Sequence, residues 1–159
     1  MTLEGLDELD RYILYALQRD ARETSSKDIA EHMDVSPSTV RKRITRLEEQ
    51  GVISGYRADV DFGKAGYQLQ LQIVCTAPIP EREELGSLAL AVPGVVSVRE
   101  IAAGEANLLV SVVATDNDDL TRIAGELSEL GLAISDEQLI RGERFTPYEG
   151  FGDGAGGPE

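Results

Sequence analysis

The stretch Val35-Ser36-Pro37-Ser38-Thr39-Val40-Arg41-Lys42-Arg43-Ile44-Thr45-Arg46-Leu47-Glu48-Glu49-Gln50-Gly51 decides how the first part of the chain folds. Ser36 is a helix N-cap residue, and Pro37 follows at the first helical position, where its missing N–H costs nothing. Gly51 is the stop. At about 100° per residue, Val40, Ile44 and Leu47 fall within about 60° of arc and form a core stripe. Ser38, Lys42 and Thr45 lie roughly opposite, with Arg41 and Arg46 on the flanks and Arg43 beside the stripe. No acid occurs between residues 36 and 47, which makes this a basic island.

Outward from that helix the pattern stays helical. Leu6, Leu9, Ile13, Leu14 and Leu17 recur at helical spacing behind a capping Asp7, which predicts a first helix ending near Asp20. Ser25-Ser26-Lys27-Asp28 has capping-box spacing and opens a short second helix carrying Ile29, Ala30 and Met33. Only Asp34 and Val35 separate it from the third, so the two must cross steeply as a helix-turn-helix. Residues 52–60 alternate loosely around Gly55 and predict a short strand or hairpin, giving a winged-helix-like domain over residues 1–60. Gly63 and Gly66 mark a linker at 61–67.

The second part reads differently. Gln68-Leu69-Gln70-Leu71-Gln72-Ile73 alternates strictly, as a half-buried strand does, and Pro78 and Pro80 end it. Leu85, Leu88, Ala89 and Val92 predict a helix stopped by Pro93-Gly94. Strands are predicted at 95–101 and 108–114, a helix from 116–119 onward to Gly131, and a weaker strand at 132–141. The order β-α-β-β-α-β is a ferredoxin-like arrangement, with both helices on one face of an antiparallel sheet. The chain is therefore α+β, with a βαββαβ domain at 68–149 and a flexible tail at 150–159. A four-stranded sheet with one open face calls for a twin to cover it.

Composition narrows the function. The 159 residues carry 29 acids and 15 bases, a net charge of −14. Residues 61–159 hold 17 of the acids and 6 of the bases, so the charge sits mainly in the second part. Lysine is scarce, 3 against 12 arginines, and a carboxylate-rich, lysine-poor surface fits a halophilic archaeon. In molar salt, screening over ~3 Å removes the self-repulsion. An ordinary acidic cytosolic protein is the alternative. No apolar run reaches the ~18 residues of a membrane span, and the opening residues lack a signal-peptide pattern, which predicts a cytoplasmic location. One cysteine, Cys75, and one histidine, His32, leave no disulfide framework, metal cluster or Cys-His pair. Cys75 reads as a packing residue, and no metal or cofactor is expected.

A small, hydroxyl-bearing, basic helix face suits a major groove, where Arg and Lys pair with guanine acceptors and phosphates and hydroxyls reach either. The residues expected to touch double-stranded DNA are Ser36, Ser38, Thr39, Arg41, Lys42, Thr45 and Arg46.

The run from Val35 through Gly51-Val52-Ile53-Ser54-Gly55-Tyr56 resembles the signature of the Lrp/AsnC family, the leucine-responsive or feast/famine regulators, almost position for position. Leu9-Asp10 with Ile13-Leu14 resembles the opening of that family's first helix, and the likeness covers about residues 6–148. It implies a DNA-binding transcription regulator whose second domain builds homodimers, often octamers, and senses a small molecule such as an amino acid. The family's turn between the second and third strands often reads Gly-x-x-Asp, and here it is Gly104-Glu105-Ala106-Asn107. An asparagine accepts a hydrogen bond but cannot pair an ammonium group as a carboxylate does. The fourth strand, often hydroxyl-rich in the family, carries Ser135-Asp136-Glu137-Gln138. Gly104, Glu105, Asn107, Ser135 and Glu137 are the expected effector contacts, and their acidity favours a cationic or amine-bearing ligand. Two other readings stand beside this one: a scaffold with a vestigial DNA-binding domain, and an enzyme like the sirohaem decarboxylases. The latter share the layout but work with histidines that this chain lacks.

Overall fold

The computed structural model describes residues 5–152 and divides them into two compact units. One comprises 5–58 together with 144–152, and the other is Asp59–Glu143.

The first unit is built on three helices, α1 (Glu8–Arg19), α2 (Ser26–Met33) and α3 (Pro37–Glu49). Each starts where a side chain satisfies an orphan N–H. Asp7 and Asp10 form a reciprocal capping box on α1, Ser25 and Asp28 form one on α2, and Ser36 accepts from the Thr39 N–H on α3. Asp34 takes the left-handed conformation (φ 53°) that lets α2 stop and α3 begin with only three residues, Asp34 to Ser36, between them. Leu9, Ile13, Leu14, Ile29, Ala30, Val40 and Leu47 are buried together in this unit's core.

Two expectations fail here. Residues 52–60 form no strand or hairpin: Val52 and Ile53 pack against the helix core, Ile53 N–H donates to Leu47 O, and 54–60 are exposed. The loose apolar alternation is satisfied by helix packing, and among the described residues no second strand lies beside it to supply a ladder. Nor is the whole segment after Gly150 a free tail. Residues 149–151 make a 3-10 turn whose Phe151 packs on the helix core, Tyr148 N–H reaches Gln18 Oε1 at 3.3 Å, and Gly152 lies against Tyr15. Phe151 is an apolar anchor that the surrounding glycines hide in the sequence. Residues 153–159 of the expected tail lie outside the described residues.

The second unit holds β1 (Leu69–Thr76), α4 (Arg82–Leu90), β2 (Val95–Glu100), β3 (Leu108–Ala114), α5 (Asn117–Glu129) and β4 (Ala133–Leu139). The strand order is β2-β3-β1-β4 with every pair antiparallel. Alternation along β1 and β3 buries Leu71, Ile73, Cys75, Leu108, Val110, Val112 and Ala114 on one face, where Leu85, Ala89, Ile123 and Leu127 of the two helices cover them. Gly94 (φ +98°) turns the chain into β2, and a Cβ there would meet Ile123 Cδ1 at 2.6 Å. Residues 61–67, expected as a linker, form a hydrogen-bonded turn that belongs to this unit: Tyr67 N–H donates to Phe62 O and Gly66 N–H to Gly63 O.

Candidate nucleic-acid interface

The exposed side of α3 carries the residues that composition and periodicity single out. Ser38, Arg41, Lys42 and Thr45 are exposed, and with Arg46 and Glu49 they line one shallow open depression. Among the described residues neither Arg41 nor Lys42 has an ion-pair partner, so both guanidinium and ammonium are available to a polyanion. Ser36 and Thr39 are used differently. Ser36 Oγ accepts from Thr39 N at 3.1 Å and lies 2.8 Å from Thr39 Oγ1 and 3.1 Å from Ser38 Oγ, a hydroxyl cluster that closes the helix N-terminus.

Arg43 and Arg46 both turn toward α1. Arg43 Nη1 donates to Asp7 at 2.5 Å and to Asp10 Oδ1 at 3.0 Å, and Arg46 Nη2 donates to Asp10 Oδ2 at 2.7 Å. Asp10 is fully buried, while the Arg46 side chain stays 42% exposed. Burial pushes the Asp7 carboxyl up, but the Asp10 N–H and the Arg43 guanidinium outweigh it and hold Asp7 below the ordinary carboxylate value. Hydrogen bonds to Asp7 and Asp10 raise Arg43 further still. Arg46, expected as a free flank of the DNA face, is thus half committed to the core. Sequence reasoning missed Asp10, although the signal was present: it shares a helix face with Leu6, Ile13, Leu14 and Leu17, and a carboxylate in an apolar stripe demands cations.

In the second unit the expected effector residues gather near the end of β1 but are not all free. Asn107 is buried, its Oδ1 accepts from Ala77 N and its Nδ2 donates to Ala77 O, both at 2.8 Å. Asn107, expected as an effector contact, instead uses both ends of its amide to pin the turn. Gly104 (φ +140°) and Glu105 are exposed, and Glu105 O accepts from Thr76 Oγ1. Ser135 Oγ donates to Val74 O at 3.2 Å, and exposed Glu137 stands opposite Ile73 in the ladder. Cys75 is buried, and burial pushes its thiol up to about 11, as suits a packing residue. His32 stacks on Tyr12 at 4.3 Å. No helix among the described residues is long and apolar enough to cross a membrane.

Comparison with known proteins agrees with this geometry. Residues 6–54 match a family described as winged helix-turn-helix DNA-binding. The chain is 36% identical over 124 residues to the HTH-type transcriptional regulator AldR of Mycolicibacterium smegmatis, covering 76% of this chain and 71% of the relative. It is 34% identical over 120 residues to the regulator LrpA of Pyrococcus horikoshii, covering 74% and 82%. The crystal structure of MtbAldR superposes with a TM-score of 0.75 at 28% identity, covering 88% and 97% of the two chains. With its capped basic helix, its ferredoxin-like second unit and these relatives, the chain belongs to the Lrp/AsnC family of helix-turn-helix transcription regulators, DNA-binding proteins and not enzymes.

Proposed function

We propose that the chain reads the major groove of double-stranded DNA with the exposed face of α3. Arg41 and Lys42 supply charge and base contacts, and Ser38 and Thr45 supply hydroxyls. The observation that carries this reading is the pair of unpartnered cations on an acid-free stretch, presented just after a three-residue turn. Ser36 and Thr39 shape the helix N-terminus, whose N–H groups favour a phosphate. Arg46 reaches DNA with whatever Asp10 leaves it.

The working form is a homodimer, with octamers as its higher assembly. Gln70, Gln72 and Val74 of β1 and Leu109, Ser111 and Val113 of β3 alternate with the buried residues and lie on the face that α4 and α5 do not cover, a surface suited to a second copy. Two copies read half-sites about one helical turn apart. A small molecule such as an amino acid acts through the 103–107 turn and the start of β4, and only its preference for one assembly over another shifts DNA binding. Glu105, Asp136 and Glu137 favour an amine-bearing ligand there, with Gly104 and Ser135 lending backbone and hydroxyl groups. The cellular site is the cytoplasm, and the acid excess suits a halophile's concentrated salt.

The test is a binding titration of wild type and of Arg41→Ala with Lys42→Ala against a duplex enriched by the wild-type protein from a random-sequence pool. Removing a side chain that pairs a base edge through two hydrogen bonds should cost about 1–3 kcal/mol and relax preference at one position, whereas removing a phosphate-binding side chain weakens every sequence alike. Unchanged binding by the double variant rejects α3 as the reading helix.

A further inference from the structure

Arg46 stands where the helix core meets the surface proposed to face DNA. Its Nη2 is on Asp10, while its Nε is buried and has no hydrogen-bond partner. An arginine placed by its own solvation would not bury that N–H unsatisfied. Its place is set by Asp10. The same fully buried carboxylate holds Arg43 on its other oxygen and, at 3.2 Å, accepts the Asp7 N–H that begins α1. Asp7 and Asp10 together neutralise two of the four bases of α3, leaving Arg41 and Lys42 as its uncompensated charges.

We propose that Asp10 is a positioning residue for DNA binding: it holds Arg46 against the core and so sets how many cations of α3 reach the duplex. The inference rests on α3 being the reading helix. Sequence-independent affinity counts the phosphates neutralised, each releasing its counterion. A guanidinium sharing a buried carboxylate neutralises a phosphate poorly. By keeping Arg46 off the backbone, Asp10 lowers affinity for all DNA and leaves discrimination to Ser38, Arg41, Lys42 and Thr45.

Asp10→Asn preserves shape and an oxygen for the Asp7 N–H but removes the charge that holds Arg46. Wild type and variant are titrated, from dilute to concentrated potassium chloride, against the enriched duplex and a scrambled one. The expected result is a log–log salt slope steeper by up to about 0.9, the value of one phosphate contact. The scrambled duplex should bind several-fold tighter and the enriched-to-scrambled ratio should fall. Adding Arg46→Gln to Asp10→Asn should return the slope to that of wild type. An aspartate that only stabilises the fold would lower the melting temperature and weaken both duplexes equally with an unchanged slope, and that result overturns the proposal. Should Asp10→Asn fail to fold, Arg46→Gln alone decides. Its slope change should be smaller than that of Arg41→Gln or Lys42→Gln, and equal changes overturn the proposal. No loss of binding in either of those two variants removes α3 as the reading helix, whereas loss there with an unaltered slope in Asp10→Asn rejects only the role of Asp10.

Discussion

In the helix unit, ion pairs tie separate elements together: Arg43 and Arg46 of α3 reach aspartates 33 to 36 residues away, at the start of α1. In the sheet unit the closest pairs are local, Arg122 of α5 with Asp119 and Glu126 three and four residues off, while the pair that joins two elements, Arg82 of α4 with Glu100 of β2, is longer at 3.7 Å and has no buried carboxylate. The two cores differ in size as well. Among the described residues, eight buried apolar side chains hold the helix unit and fourteen hold the sheet unit. In the small core the buried carboxylate of Asp10 makes each of its partners costly to remove, because losing one strands the others. In the sheet unit the alternation of β1 and β3 fills that role, and charges stay at the surface, where single pairs contribute little.

The largest effect should come from Asp10→Ala, which leaves Arg43 and Arg46 without their buried acceptor. Amide hydrogen exchange followed unit by unit should show the helix unit losing about 3 kcal/mol. Arg122→Gln should leave exchange in the sheet unit unaltered. Equal responses to the two substitutions would break the comparison.

A smaller effect tests which unit owns the last described segment. Phe151 is partly buried on the helix core, so Phe151→Ala should cost that unit about 1 kcal/mol and the sheet unit nothing. Gly150→Ala should act the same way, since a Cβ there would lie 2.5 Å from the Tyr148 ring. A fall in protection in β4 rather than in α1 would reassign the segment to the sheet unit.

The smallest effect is in acid. Asp7 is held below its ordinary value of 3.8, so its contribution is complete above that pH and lost as pH falls toward the folded value. Asp119 follows the same sign, through the Thr115 N–H and then Arg122. Urea midpoints of wild type and Asp7→Asn should therefore run parallel from neutral pH to about 4, and below it the wild type should fall more steeply. Parallel curves throughout would show that the Asp7–Arg43 pair contributes nothing to folding.

Much of the fold was legible because its signals close over short distances. Asp7, Ser25, Ser36 and Asp116 cap helices by bonding an N–H three residues on, and β1 and β3 declare their buried face every second residue. The exposed face of α3 was legible for the same reason, since one helix's periodicity suffices to separate Lys42 from Val40. The partners were not. Periodicity places Arg46 on a flank but does not say that a carboxylate 36 residues earlier claims it. It marks Asn107 as a polar turn residue but does not reveal that Ala77, 30 residues away, takes both ends of its amide. The apolar alternation of 52–60 misled because a strand is defined by a neighbour, and none lies there among the described residues.

What the amino-acid order determined by itself is thus the set of elements and their buried faces, along with the basic surface of one helix. Each follows from hydrogen bonds and side-chain spacing within a few residues. Tertiary structure alone decided that Asp10 divides the cations of α3, that Asn107 is spent on its own turn, and that the chain returns at Tyr148 to Gln18, 130 residues back. Such contacts close long loops, whose entropic cost grows only slowly with length, so many pairings are nearly equivalent until the packed cores select one.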